Sequence, residues 1–202
     1  FKAANSMYLK KLLNEIQSEA ELTHTGTKVI VPAFMPISAQ LIEEHLDKYA
    51  TKEKGWRQFF EAFKHAYHAQ TDKETLEPST LMALEELQKC INRCFKQYLF
   101  SNEQLSKFLG NTLTEQVDAL LFMARSSGIN EDKADMPNPG GNESIVTTAT
   151  RISQALGVVA ASYVSEKSLL QRLKAGDRSI TEVPVMPVLV QVLVGEALNQ
   201  QA

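Results

Sequence analysis

Along this chain apolar residues recur mostly at spacings of three and four, the period of a helix that buries one face. Leu9, Leu12, Leu13, Ile16 and Ala20 form such a stripe over residues 8–22, with Ser6 placed to cap it. Ser38 stands ahead of Leu41, Ile42, His45, Leu46 and Tyr49. After a charged break at residues 51–55, Trp56, Phe59, Phe60, Phe63 and Tyr67 return at helical spacing. Pro78 and Ser79 open a longer stripe of Leu84, Leu87, Ile91, Cys94, Phe95 and Tyr98, with Glu85 and Lys89 one turn apart on its outside. Ser101 with Gln104, and Thr112 with Glu115, fit the capping-box spacing. They predict a short helix ending at Gly110 and another with Val117, Leu120, Leu121 and Ala124 as its stripe, closed by Gly128.

Between Ser126 and Glu143 the pattern collapses into Asn-Glu-Asp-Lys and a Pro-Asn-Pro-Gly-Gly-Asn run, which no helix or strand interior tolerates. Residues 127–143 are therefore expected to be a flexible loop. Ser144 is then placed to cap a helix reaching Ala175, just before Gly176. No residue between Arg151 and Glu166 is charged, and Ala155, Gly157, Ala160, Ala161 and Ser162 alternate with larger apolar residues. A helix apolar nearly all round is buried on several sides, and Gly157 would admit a close neighbour. The uncharged run falls short of the ~20 residues a membrane span needs. The last stretch supports two readings. Pro187 at a first helical turn and Glu196-Ala197-Leu198 favour a helix over residues 187–199. Its β-branched density suits a strand instead, and residues 183–186 could pair with the short Lys28-Val29-Ile30-Val31 run.

These elements add up to a mainly α, single-domain bundle of about seven to eight helices, with room for a small β pair of residues 28–31 and 183–186. Residues 1–6 read as a cloning remnant ahead of Met7, residues 7–126 as a helical lobe, and residues 144–202 as a central helix and C-terminal segment on the same core. Composition agrees with a folded chain: of 202 residues 44% are hydrophobic and 22% charged. The net charge of -3 supplies no basic field for a nucleic-acid backbone or an anionic membrane, so neither is an expected partner. The only cysteines, Cys90 and Cys94, stand one helical turn apart, which does not give unstrained disulfide geometry. Free thiols, and an opening without a charged-then-apolar leader, predict a cytoplasmic protein.

Candidate chemistry is sparse. Glu61, His65, His68 and Asp72 share one side of the aromatic helix and could begin a metal site, but no HExxH or second-helix pair completes it, and a solvated polar face accounts for them. Cys90 and Cys94 lack the second pair a zinc site needs, and Cys94 lies on the apolar stripe. His45 also falls on an apolar face, as a buried and satisfied histidine would. No G-x-S-x-G occurs, Gly140-Gly141 lacks the lysine of a phosphate loop, and the pairs Glu43-Glu44 and Glu85-Glu86 point apart. The expectation is no catalytic residue, no cofactor and no metal.

What remains is a binding role. Val183 to Leu198 holds more apolar side chains than one face of a terminal helix hides, and Val188, Val190, Leu193 and Val194 are the candidate partner-binding residues. In size, acidity, helical pattern and its Cys90/Cys94 usage the chain resembles small acidic adaptor subunits of bacterial type IV secretion coupling complexes of the Dot/Icm kind. That resemblance rests on general character and brings no site residues with it. It implies a bacterial cytoplasmic adaptor or chaperone-like subunit that works in a heteromeric complex, serves virulence through secretion, and binds another protein chain. The alternatives are an enzyme or secreted effector with its site near His65 and His68, and a helical domain that binds a small molecule between the aromatic helix and the helix beginning at Ser144.

Overall fold

The computed structural model describes Tyr8, Lys11 and residues 33–49, 55–96, 120–127, 142–177, 179–182 and 185–193. Strand β1 (Phe34–Ile37) leads into helices α1 (Ala39–Tyr49), α2 (Trp56–Ala69) and α3 (Pro78–Phe95). Strands β2 (Leu121–Ser126) and β3 (Ser144–Thr148) follow, then α4 (Ile152–Ser162), α5 (Glu166–Lys174) and β4 (Val188–Val192). The strands form one antiparallel sheet in the order β1-β4-β2-β3.

The fold is therefore mixed α/β, neither all-α nor a bundle of seven to eight helices. Three stretches expected to be helical are wholly or partly strand. Leu121 and Ala124 belong to β2, where the buried residues are Phe122, Ala124 and Ser126 at a period of two. Ser144 begins β3; a 3-10 turn over Ala149–Arg151 then leads into α4, so the long helix expected as far as Ala175 starts later and is broken at Tyr163. Ser165 causes the second start: its Oγ accepts the Ser168 N–H at 3.1 Å and caps α5. The helix expected over residues 187–199 is instead strand β4 up to Val192. Its partners are β1 and β2, while Val185 and Met186 precede the strand and lie outside the sheet. The proposed partner run 28–31, the helix at 101–110, the loop residues 128–141 and, apart from helical Tyr8 and Lys11, the helix over 8–22 lie outside the described residues.

The other helices follow their stripes, except that Leu41 of the α1 stripe is exposed. Leu41 N–H donates to Ser38 Oγ at 3.2 Å, and α1 buries Ile42, His45 and Leu46. Trp56, Phe60, Phe63 and Tyr67 are the buried face of α2, and Leu84, Leu87, Cys90, Ile91, Cys94 and Phe95 that of α3. Buried Gln70 holds the α2–α3 turn. Its Nε2 donates to the carbonyls of Asp72 and Thr75, and its Oε1 accepts from Glu77 N–H and Thr80 Oγ. Lys73 Nζ donates to the carbonyls of Tyr67, His68 and Gln70, which the end of α2 leaves without helical partners. Trp56 Nε1–H and the Arg57 guanidinium both donate to Asp47, tying α1 to α2.

Helix α4 is the centre. One side packs on β2, β3 and β4, the other on α3, and α3 in turn carries α1 and α2. Small residues make this possible: Ala155, Gly157, Ala160 and Ala161 are buried. A Cβ placed on Gly157 would stand 2.7 Å from Phe95 Cβ. Gly157→Ala should therefore destabilise the protein, although alanine favours helix by up to about 1 kcal/mol. Overpacking costs about 1–3 kcal/mol, so a net loss on the order of 1 kcal/mol is expected in chemical denaturation.

Candidate interaction surface

The sheet has two unlike faces. In register, Phe122, Ala124 and Ser126 of β2 stand opposite Val192, Val190 and Val188 of β4, with Ile37 beside Val188 and Thr147 beside Phe122. All are buried on the α4 side. The alternate residues face away from α4: Phe34 and Pro36 on β1, Leu189 and Gln191 on β4, Leu121, Met123 and Arg125 on β2, and Ser144, Val146 and Thr148 on β3. In this outer row Leu189 is buried, yet Leu121 is 39% and Val146 52% exposed. Leu193 N–H donates to Leu121 O at 2.8 Å, which continues the alternation and sets half-buried Leu193 beside Leu121.

This arrangement divides the expected partner-binding residues. Val188 and Val190 are 1% and 0% exposed, inside this chain's own core, where a partner meets them only if the sheet opens. Leu193 joins the outer row, and Val194 lies outside the described residues. Leu121 stood on an expected helical stripe, which would have buried it, and Val146 fell within the helix expected to begin at Ser144; only the strand register turns both to the outer row.

The other candidates are accounted for within the fold. His65 and His68 are exposed on α2. Glu61 pairs with Lys64 at 2.7 Å, and Asp72 accepts from Glu74 N–H and Thr75 Oγ; those hydrogen bonds hold its carboxyl below the usual range. Among the described residues no three His, Cys, Asp or Glu side chains are placed to hold a metal ion. Cys90 and Cys94 are free and buried. The hydrogen bond between them draws Cys90 down and pushes Cys94 up. His45 Nε2 lies 3.1 Å from the Cys94 carbonyl, which can only accept, so that nitrogen carries the proton; the ring packs against Tyr49 and Phe95. Burial, outweighing that bond, lowers its pKa.

One buried ionic cluster had no sequence signal. Gly176, with φ of +77°, turns the chain at the end of α5 so that Asp177 folds back. Asp177 accepts from Arg172 Nε at 2.8 Å and from Ser179 N–H and Oγ, while the Tyr163 ring covers the guanidinium at 4.3 Å. Burial pushes the Asp177 carboxyl up, but the Ser179 and Arg172 hydrogen bonds outweigh it and hold the group below the ordinary carboxylate range. Among the described residues Arg172 Nη1 and Nη2 have no hydrogen-bond partner. Among the described residues no helix is long and apolar enough to cross a membrane.

No protein-family model matches the chain, and no curated protein matches it either.

Two outcomes follow from this chemistry. Asp177→Asn leaves a buried guanidinium without its counter-charge and should cost roughly 3 kcal/mol or more. Because the folded-state pKa of Asp177 lies below its unfolded value, its contribution is complete above about pH 4 and is lost as pH falls through the folded pKa. The stability–pH curve of Asp177→Asn should lack that acid limb. His45 is likewise depressed, so stability should decline as pH falls below about 6.5 while the unfolded chain takes up a proton more readily. His45→Gln should flatten that window in urea titrations at stepped pH.

Proposed function

We propose that the protein is a non-enzymatic binding module, an adaptor or chaperone-like subunit that holds another protein chain on the outer face of its sheet. The supporting observation is the exposure of Val146 and Leu121 beside Met123 and Leu193, on the face opposite the one that α4 fills. The free thiols Cys90 and Cys94 fit a reducing cytoplasm. The acidic balance favours a protein partner over nucleic acid. A heteromeric complex, as in bacterial secretion adaptors, fits a sheet face whose apolar residues the described helices leave exposed.

Leu121→Ser combined with Val146→Ser should lower stability by about 1 kcal/mol or less per site, because both side chains are already partly in water. A photo-crosslinking residue in place of Val146 should join the protein to another polypeptide in its native host, whereas the same residue in place of Met82, exposed on α3, should not. The serine double variant should lose that partner. A double variant that keeps every wild-type partner, or equal crosslinking at both positions, would overturn the reading.

A further inference from the structure

Hydrogen-bond register fixes what each edge of the sheet presents. Leu193 N–H donates to Leu121 O, and Ser127 N–H to Pro187 O at 2.9 Å, so the odd-numbered residues of β2 turn their backbone groups toward β4. Its even-numbered residues serve β3, through the opposed pairs Phe122–Thr147 and Ala124–Ile145. Ser144, Val146 and Thr148 are left with their backbone turned away from the sheet. At the other edge Val192 N–H donates to Ala33 O at 2.9 Å, and the same alternation turns Phe34 and Pro36 outward. Proline has no N–H, so the β1 edge is interrupted at its middle.

The β3 edge has no such guard. Ser144-Ile145-Val146-Thr147-Thr148 contains no proline, no charge and no bulge, and among the described residues no hydrogen bond engages the outward N–H and C=O of Val146. On the outer face Val146 ends the cross-strand row Gln191–Met123–Val146.

We propose that the free edge of β3 is a strand-addition site, taken by an extended segment of the partner protein that pairs with Ser144, Val146 and the N–H of Thr148, whose carbonyl already accepts from Thr147 Oγ1. This rests on the protein-binding reading above and specifies how the partner docks. Size selects the occupant. Five residues of edge span only about 17 Å, too short a contact to supply the ~800 Å² per partner that joins two folded surfaces stably. A second folded copy held by this edge alone falls far short. A single extended peptide uses the same edge fully, because its affinity comes from main-chain bonds and its selectivity from alternate side chains. The residue opposite Val146 extends the outer row and is best apolar and β-branched or aromatic. The one opposite Ser144 lies across that short side chain from Arg125, its cross-strand neighbour, and is best acidic.

The test uses a displayed library of random decapeptides, selected on the whole protein. Selected peptides should alternate apolar and polar residues, and N-methylation of every second residue should abolish binding in one phase of the alternation and spare it in the other. Val146→Pro removes the outward N–H without touching the bonds to β2, so its thermal midpoint should stay near wild type. Its affinity for the selected peptides should fall roughly tenfold or more. Val146→Thr, which keeps the backbone donor and the branched shape, should bind more tightly than Val146→Pro, and that difference reports the lost N–H. In the free protein the Val146 amide should exchange quickly with solvent, and bound peptide should protect it. A library that yields no binder, or peptides that bind the folded Val146→Pro variant as well as wild type, sinks the edge proposal. If Val146→Pro keeps the host partner while Leu121→Ser with Val146→Ser loses it, the partner sits on the face and the edge is idle. If both keep it, the protein-binding reading fails as well.

Discussion

The contact between Gly157 and Phe95 sets the spacing of the molecule. Helix α4 lies between a sheet and another helix, and both neighbours can reach it only because its side chains are small on the sides they touch. At Gly157 there is none at all, and the Phe95 side chain occupies the space a methyl group would take. Phe95 in turn backs the ring of His45, so α1 is referenced to the same point. A larger residue at position 157 would lift α3 off α4 and take with it the helices seated on α3. Interiors at crystal-like density transmit such displacements instead of absorbing them.

Polar groups, handled in two ways, complete the layers. The α2–α3 turn is saturated: the Gln70 amide engages two acceptors and two donors, and Lys73 answers three carbonyls at a helix end. Such a turn specifies one geometry, since any other leaves buried groups unpaired. The Arg172–Asp177 pair is different. Its charges are matched, but among the described residues nothing accepts from the two terminal guanidinium nitrogens, and the Tyr163 ring faces the guanidinium. That pair fixes the end of α5 more by what would go wrong without it than by any net gain.

Helices α1, α2 and α3 were legible in the sequence because their signals are local. Ser38, Pro78 and the apolar stripes of α1, α2 and α3 lie within a turn or two of the residues they organise. The strands were not, and each failed for its own reason. Leu121 and Ala124 are three apart and mimic a helical stripe, while the inward row of β2 ends in polar Ser126, which hides its period of two. In β3 the one buried residue is a threonine. In β4 both faces are largely covered, so the run is continuously apolar, and periodicity cannot separate a buried strand from a buried helix. Only its neighbours decide the matter. The candidate surface was half legible for the same reason: the excess of apolar residues near Val188 to Leu193 is real, but the register spends Val188 and Val190 on the core and leaves Leu193 on the outside.

The place of β4 has a consequence for how the chain reaches this state. It is the last of the described strands, yet it sits between β1, the first, and β2. Until residues 188–192 arrive, β1 has no partner among the described strands and the β2–β3 pair stands alone, which is marginal in water. Closure of the sheet thus waits on contacts between distant parts of the chain, the kind that slow folding most. During synthesis the sheet cannot close before β4 has left the ribosome, although the α2–α3 hairpin, whose contacts are local, can form long before. In that interval β2 presents the unfilled gap to any extended chain nearby. Nascent protein is then most in need of a chaperone, and a truncation just before Val188 would make that exposure permanent.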